Sequence, residues 1–245
     1  DPIPADVLAI EVGALQLPFV KSMSPHSAVV LNIAPDHIDH FGSFENYQNT
    51  KAKIYTNVQK SAIFNAQDLV TEKMVEDAEV VPGARAVGFT LGVPGLSMLG
   101  VVENYLVDRA FVEERKTHAQ ELCSIDDIKP NAPHNIANAL AAAALARSYG
   151  VEPAHVKYGL RSFVPAPHRI SKVGEYNGVV YIDDSKATNC HAAEMSLKAY
   201  KNVIWIAGGQ AKGQDFNELI KNSVRNLKAI VLLGQDKQII AQSIK

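Results

Sequence analysis

The sequence predicts an α/β protein in which a domain built on a mostly parallel sheet is followed by a second, Rossmann-like α/β domain. Three observations carry this prediction. Short β-branched runs alternate with helical patterns along almost the whole chain, as βα units do. The alternation is interrupted at Val164-Pro165-Ala166-Pro167-His168-Arg169, whose two prolines forbid helix and read as an extended hinge. The composition, 47% hydrophobic and 20% charged with 15 Gly and 12 Pro over 245 residues, is globular and not disordered, collagen-like or coiled-coil. The expected domains are therefore residues 1–166 and 167–245.

Within the first domain, VLAIEV (7–12) reads as a buried strand and AVVLNI (28–33) as another, with a short helix or turn over 18–23. Ser43 offers an N-cap for a helix running to about Val58, with Phe44, Tyr47, Ile54 and Tyr55 as its apolar contacts. SAIFN (61–65) is a strand, followed by a helix over 66–76 and a strand over 85–89. Residues 92–129, rich in Val and Leu, read as a β-meander at the sheet edge. The Ala-rich stretch 134–149 is a helix stopped by Gly150, and 151–162 is a second helix. Beyond the hinge, strands over 179–185, 202–209 and 229–234 alternate with helices over 191–200, 216–227 and 236–244.

Charge and composition exclude several function classes. Net charge is −2, with no polycationic footprint for nucleic acid. No run reaches the 18 or so apolar residues that cross a bilayer, and Asp1-Pro2-Ile3-Pro4 lacks the pattern of a signal peptide and an initiator Met, so the chain reads as soluble and as cut from something longer. Two cysteines, Cys123 and Cys190, make neither a disulfide framework nor a zinc motif, which points to the reducing cytoplasm. Residues 1–166 carry a net charge of −6 and the remainder +4. Such asymmetry suits a basic lobe closing over an anionic ligand, or is ordinary variation in solvated surface charge.

Open parallel sheets bind ligands at the carboxyl ends of their strands, so the residues found there come first. Glu11 closes the first expected strand, and Asn32, Asp36, His37 and Asp39 follow the second. Carboxylates and an imidazole so placed can ligate Mg²⁺ or Mn²⁺ together with water and phosphate oxygens, or stand as solvated loop groups. His168-Arg169 lies where the domains meet, and Arg169 can grip a phosphate bidentately or form an interdomain salt bridge. Asp183-Asp184-Ser185-Lys186-Ala187-Thr188-Asn189 closes a buried strand and opens a helix, whose free N–H groups favour anions. IAGGQAKGQDF (206–216) repeats that architecture, with Lys212 free to pair with a carboxylate or phosphate.

The strings NIAPDHIDHFGSFENYQNTKAKIY, PHNIANALAAAA, PHRI, DDSKATN and IAGGQAKGQDF, in this order and at these separations, resemble the Mur ligases over essentially the whole chain. DDSKATN after a linker HR points to the D-glutamate-adding branch and away from sister ligases and folylpolyglutamate synthases. The resemblance implies an ATPase-type central domain and a Rossmann-like C-terminal domain. It also implies an ATP-dependent carbon–nitrogen ligase of peptidoglycan synthesis, which joins D-glutamate to UDP-N-acetylmuramoyl-L-alanine. In that chemistry the substrate carboxylate is phosphorylated to an acyl phosphate, the amine of D-glutamate attacks, and phosphate leaves.

Residue by residue, the resemblance makes Glu11 and His37 ligands of two Mg²⁺ ions and Lys51 a lysine that is carbamylated into a further metal ligand. It makes Asn135, Asn138, Arg169 and Asp184 contacts to ATP, and Thr188 and Lys212 contacts to D-glutamate. Lys51, His168 and Lys186 become the groups that support catalysis. The protein is expected to act as a cytoplasmic monomer on small molecules, without nucleic acid or membrane partners. Two departures stand out. Glu11-Val12-Gly13-Ala14-Leu15-Gln16-Leu17 lacks the two serines of the family's E-x-S-S-F-Q-L, and no GxxxxGK[ST] phosphate loop occurs. The 245 residues are therefore expected to be the central and C-terminal parts of a three-domain ligase, inactive by themselves. The alternatives are another superfamily member or a non-catalytic fragment that keeps the fold.

Overall fold

A computed structural model describes residues 5–244; Asp1–Pro4, on which the expectation about a leader rests, lie outside them. The first lobe contains β1 (Ser27–Val30), α1 (Ile38–Phe41), α2 (Phe44–Ala52), β2 (Ser61–Asn65), α3 (Leu69–Glu76), β3 (Arg85–Phe89), β4 (Met98–Val102), β5 (Tyr105–Asp108), β6 (Gln120–Ser124), α4 (Pro133–Ser148) and α5 (Pro153–Ser162). The second contains β7 (Ser171–Tyr176), β8 (Val179–Asp183), α6 (Cys190–Lys198), β9 (Val203–Gly208), α7 (Asn217–Ser223), β10 (Leu227–Leu233) and α8 (Lys237–Ser243).

The six strands of the first lobe lie in sequence order, parallel from β1 to β4 and antiparallel through β5 and β6, so the expected meander occupies one edge. Alternation along β2 feeds two cores. Ile63 packs with Val87, Phe89, Leu99, Leu106 and the buried alanines of α4 on one face. Ala62 and Phe64 pack with Val30, Tyr55, Val58, Met74 and Val75 on the other. Small side chains at 139, 141, 143 and 144 let α4 lie close against β1, β2, β3 and β4. Its C-terminal end is fastened twice. Ser148 Oγ bridges Ser27 Oγ (2.8 Å) and Ser61 Oγ (2.6 Å) at the starts of β1 and β2, and Arg147 reaches the meander.

That second fastening centres on Asp108, which is fully buried. Its Oδ1 accepts hydrogen bonds from the backbone N–H groups of Ala110 (2.7 Å) and Phe111 (2.9 Å), and its Oδ2 accepts one from Arg147 Nε (2.9 Å). Arg147 also donates to the carbonyls of Val151 (2.7 Å) and Phe111 (3.3 Å). Both charges are compensated, as burial requires.

In the second lobe β9 and β10 form a parallel pair, and β7 and β8 form a hairpin. The hairpin turns at Asn177-Gly178, where both residues have positive φ, as a type I′ turn requires. Leu197, Ala207, Ala211, Leu219, Ile220 and Ile240 are buried there. Ile204, Ile206, Val231 and Leu233 share the opposite face of the β9–β10 pair and stand exposed.

Three expectations are corrected. Residues 7–12 form no strand: Val7, Leu8, Ile10 and Glu11 are exposed, with no ladder partner among the described residues to satisfy an extended backbone. The helix begun at Ser43, whose Oγ accepts from Asn46 N at 3.0 Å, tightens after Ala52 into a 3₁₀ turn over Lys53–Tyr55 instead of continuing to Val58. The strand expected over 179–185 ends at Asp183 and is not buried, since among the described residues β8 pairs only with β7, and Val179, Val180 and Tyr181 are exposed. Strand β7 itself was not anticipated.

Replacing Arg147 by Ala strands the Asp108 carboxylate in the core. We expect a loss of about 3–5 kcal/mol of unfolding free energy by urea titration, the range for a broken buried pair; a loss below about 1 kcal/mol would show that water replaces the guanidinium.

Candidate functional site

The chain leaving the carboxyl end of β1 is held by polar contacts from the next strand–helix unit. Asn65 Nδ2 donates to Leu31 O (3.1 Å), and Asp68 Oδ2 accepts from Ile33 N (2.9 Å). The loop so fixed delivers Asp36 and His37. His37 takes a left-handed conformation at φ 50°, and its N–H donates to Asp36 Oδ1 (2.9 Å). Gly42, at φ 77°, then turns the chain into α2, whose last turn carries Lys51. Lys51 is half-buried, and burial pulls its amine below the ordinary lysine range, while the nearby carboxylates of Glu11 and Asp36 push it back up. Tyr47 packs beside them against Phe41 and Phe44; burial first, and Asp36 second, raise its phenol.

Helix α4 starts at Pro133 with no side chain capping it. Asn135 Nδ2 donates to Pro130 O (3.0 Å), which ties down the approach to the helix. Asn138 is exposed on the same helix. His134 is half-buried, and burial lowers its imidazole below the usual range against the opposing pull of Asp184.

Across the hinge, the linker is strapped to the loop after β8. His168 Nδ1 and Asp183 Oδ2 lie 2.6 Å apart, Lys186 N donates to His168 O (3.1 Å), and Ile170 N donates to Asp184 Oδ1 (3.1 Å). The second Asp184 oxygen accepts from Ser196 Oγ on α6. The Ser185 amide and then His168 hold Asp183 below the usual carboxylate range. His168 and Ile170 both have positive φ (69° and 49°), a strained choice for a β-branched residue, and the strap holds them there. Arg169 lies between them, exposed and without an ion pair among the described residues.

The lobes are joined directly by Asn189. Its Oδ1 accepts from Ala192 N (2.8 Å) as the N-cap of α6, and its Nδ2 donates to Asp36 Oδ2 (3.1 Å). Thr188 precedes it, exposed, and Lys212 stands exposed at φ 51° in the loop after β9. The strand ends of this lobe run close together: a Cβ at Gly208 would fall 2.2 Å from Leu233 O, and one at Gly234 would fall 2.5 Å from Gly209 N.

Of the anticipated residues, Glu11 and Lys51 gather around Asp36 beside His37, and His168, Asp184 and Lys186 gather in the strap. Asn138, Arg169, Lys186, Thr188 and Lys212 are exposed. Among the described residues no three His, Cys, Asp or Glu side chains converge as a metal-binding group. Asp36 was anticipated only as one of several strand-end acids, and His134, Asp183, Asn189 and Gln214 were not singled out. Positions beside a motif are legible only once folding shows what they touch.

Against this geometry, the Mur ligase middle domain model matches residues 4–146 and the Mur ligase, glutamate ligase domain model matches residues 168–245. The chain belongs to the Mur ligase family. Its curated relatives include UDP-N-acetylmuramoylalanine–D-glutamate ligases. The one from Streptomyces avermitilis is 55% identical over 98% of this chain and 51% of its own length. The one from Thermobifida fusca is 48% identical over the same shares. The chain thus spans about half the length of the curated relatives it matches. Solved neighbours show the same fold. A MurF from Acinetobacter baumannii has a TM-score of 0.64 at 21% identity over 90% of this chain and 49% of its own. A MurF ligase from Thermotoga maritima, solved in complex with ADP, has a TM-score of 0.55 at 16% identity over 90% and 60%. No helix among the described residues is long and apolar enough to cross a membrane.

Cys190, beside Asn189, and Cys123, in the meander, are both pushed up to about 11, chiefly by burial. Burial favours the neutral thiol, so the thiolate appears only as pH rises towards that value. Iodoacetamide at pH 8 is expected to label the native chain about a hundredfold more slowly than the urea-unfolded chain; equal rates would show ordinary, open thiols.

Proposed function

We propose that these residues form the interdomain half of the active site of an ATP-dependent amide ligase that joins D-glutamate to UDP-N-acetylmuramoyl-L-alanine. The observation that supports it best is the meeting of the two lobes at Asp36 and Asn189, which brings the half-buried Lys51 amine and its carboxylates opposite the loop of Thr188. The domain division falls at the hinge, 1–166 and 167–245. The two free thiols fit a reducing cytoplasm, and we take the working species to be a monomer.

Oxygen donors with one imidazole suit a hard cation such as Mg²⁺. Glu11 would hold one such ion and His37 a second, with Lys51 as a further ligand once carbamylated: the lowered amine is more often neutral than a surface lysine, and the neutral amine is the form that adds CO₂. Bound ATP and Mg²⁺ supply the transferable phosphoryl group and neutralise its charge. Asn135 and Asn138 hold the nucleotide from α4, while Arg169 and Asp184 hold its phosphates and ribose from the second lobe. Asp184 already orders the linker through Ile170 N, so nucleotide binding and hinge geometry share one carboxylate. Thr188 and Lys212 receive the two carboxylates of D-glutamate, turning its amine towards the acyl phosphate, and the +4 charge of the second domain favours this anionic substrate. His168 and Lys186 keep the strap in place, fixing the orientation on which such positioning depends.

In the full-length ligase, ADP release is expected only with both UDP-N-acetylmuramoyl-L-alanine and D-glutamate present. Equal turnover with L-lysine or diaminopimelate would overturn the substrate assignment. Lys212→Ala is expected to raise the KM for D-glutamate by about tenfold or more, the cost of losing one charged hydrogen bond; an unchanged KM would remove Lys212 from the site.

A further inference from the structure

Gln214 lies two residues beyond Lys212, and its side chain leaves its own loop for the other one. Its Oε1 accepts from Cys190 N at 2.7 Å, and its Nε2 donates to Thr188 O at 3.4 Å. Cys190 is the first residue of α6, so its N–H is one of the helix-start donors that the helix cannot satisfy itself. The backbone of Gln214 closes the Lys212 turn by donating to Ala211 O (2.9 Å). Ala211 is fixed from the far side by Asp236, whose Oδ2 accepts from Ala211 N (2.9 Å), and Asp236 N donates to Gly209 O (3.2 Å). The Lys212 loop is thus anchored at its base, and a single amide side chain spans from it to both ends of the Thr188–Cys190 segment.

We infer that Gln214 is a positioning residue that sets the separation and orientation of Thr188 and Lys212, and so the fit of the amino-acid substrate between them. The inference rests on the proposed role of those two residues in holding D-glutamate. It adds a group that touches neither substrate nor nucleotide and acts through the two loops it joins. An amide suits the task because it accepts from one backbone group and donates to another at once. A carboxylate could do only the first, and a shorter amide would not span the gap.

The test uses the full-length ligase with Gln214→Leu, which keeps the bulk and removes both hydrogen bonds. The expected result is a rise of about fivefold to tenfold in the KM for D-glutamate, what one or two hydrogen bonds are worth. The KM for ATP should stay within about twofold and the thermal midpoint should barely move, because Asn189 still caps α6. Combined with Lys212→Ala, the same change should add less than its own factor, since the group it positions is gone. An unchanged KM for D-glutamate, an equal rise for ATP, or effects that multiply in the double variant would each overturn the clamp. Should Lys212→Ala alone leave that KM unchanged, the substrate reading beneath the clamp falls, a distinguishable result. Independently of any variant, the Cys190 amide in the unmodified protein should exchange with deuterium slowly for a helix-start position, and rapid exchange would refute the hydrogen bond on which the clamp depends.

Discussion

The buried pair of Asp108 and Arg147 is the constraint on which the rest of the first lobe depends. A carboxylate with no access to water must be fully compensated, and here two backbone amides and a guanidinium do it. The same guanidinium ties the carbonyls of Val151 and Phe111, so the meander, the end of α4 and the entry to α5 form one rigid corner. Because α4 crosses four strands of the sheet, fixing its end fixes its direction. The start of the helix, with Asn135 and Asn138, then points where the second lobe arrives.

Between the lobes a few polar contacts carry the geometry. Asn189 links α6 to Asp36, and the strap through His168, Asp183, Asp184 and Lys186 makes the linker part of the second lobe. The proline-containing stretch before His168 is mostly exposed. Backbone strain at Ile170 is tolerable because three hydrogen bonds surround it. Arg169 and Asp184, proposed to contact nucleotide, and Thr188 and Lys212, proposed to contact the amino acid, are in this way mounted on one body, while Asn135, Asn138 and the carboxylates around Lys51 belong to the other.

Much of this was legible in the sequence, and for physical reasons. Local composition set β2, β3, α3 and α4 within a residue or three: short apolar runs bounded by polar residues marked the strands, and the alanine content with Gly150 as a stop marked α4. The strings around His37, Asp184 and Lys212 stood out through an unusual density of polar groups at strand ends, whereas Lys51, in the last turn of α2, was reached only through the family resemblance. Patterning misled at residues 7–12, where apolar alternation promised a strand that finds no partner among the described residues, since a strand's existence depends on a neighbour that local sequence does not name. It also passed over β7, although Asn177-Gly178 was a hairpin signal. Gln214 and Asn189 were illegible as positioning groups because their partners lie 24 to 153 positions away, a relation that no spacing within a motif encodes.

Helix α4 is fastened at both ends, by Ser148 and Arg147 at one and by the Asn135 tether to Pro130 at the other. Between those fixings it behaves as a spacer of set length. One inserted or deleted residue would shift its start by about 1.5 Å and swing it through about 100°, turning Asn135 and Asn138 away from the second lobe while the alanine face still packs. Substitutions at its exposed positions other than Asn138 can drift freely, but changes in its length cannot, so across descendants of this gene the helix should vary in composition long before it varies in residue count.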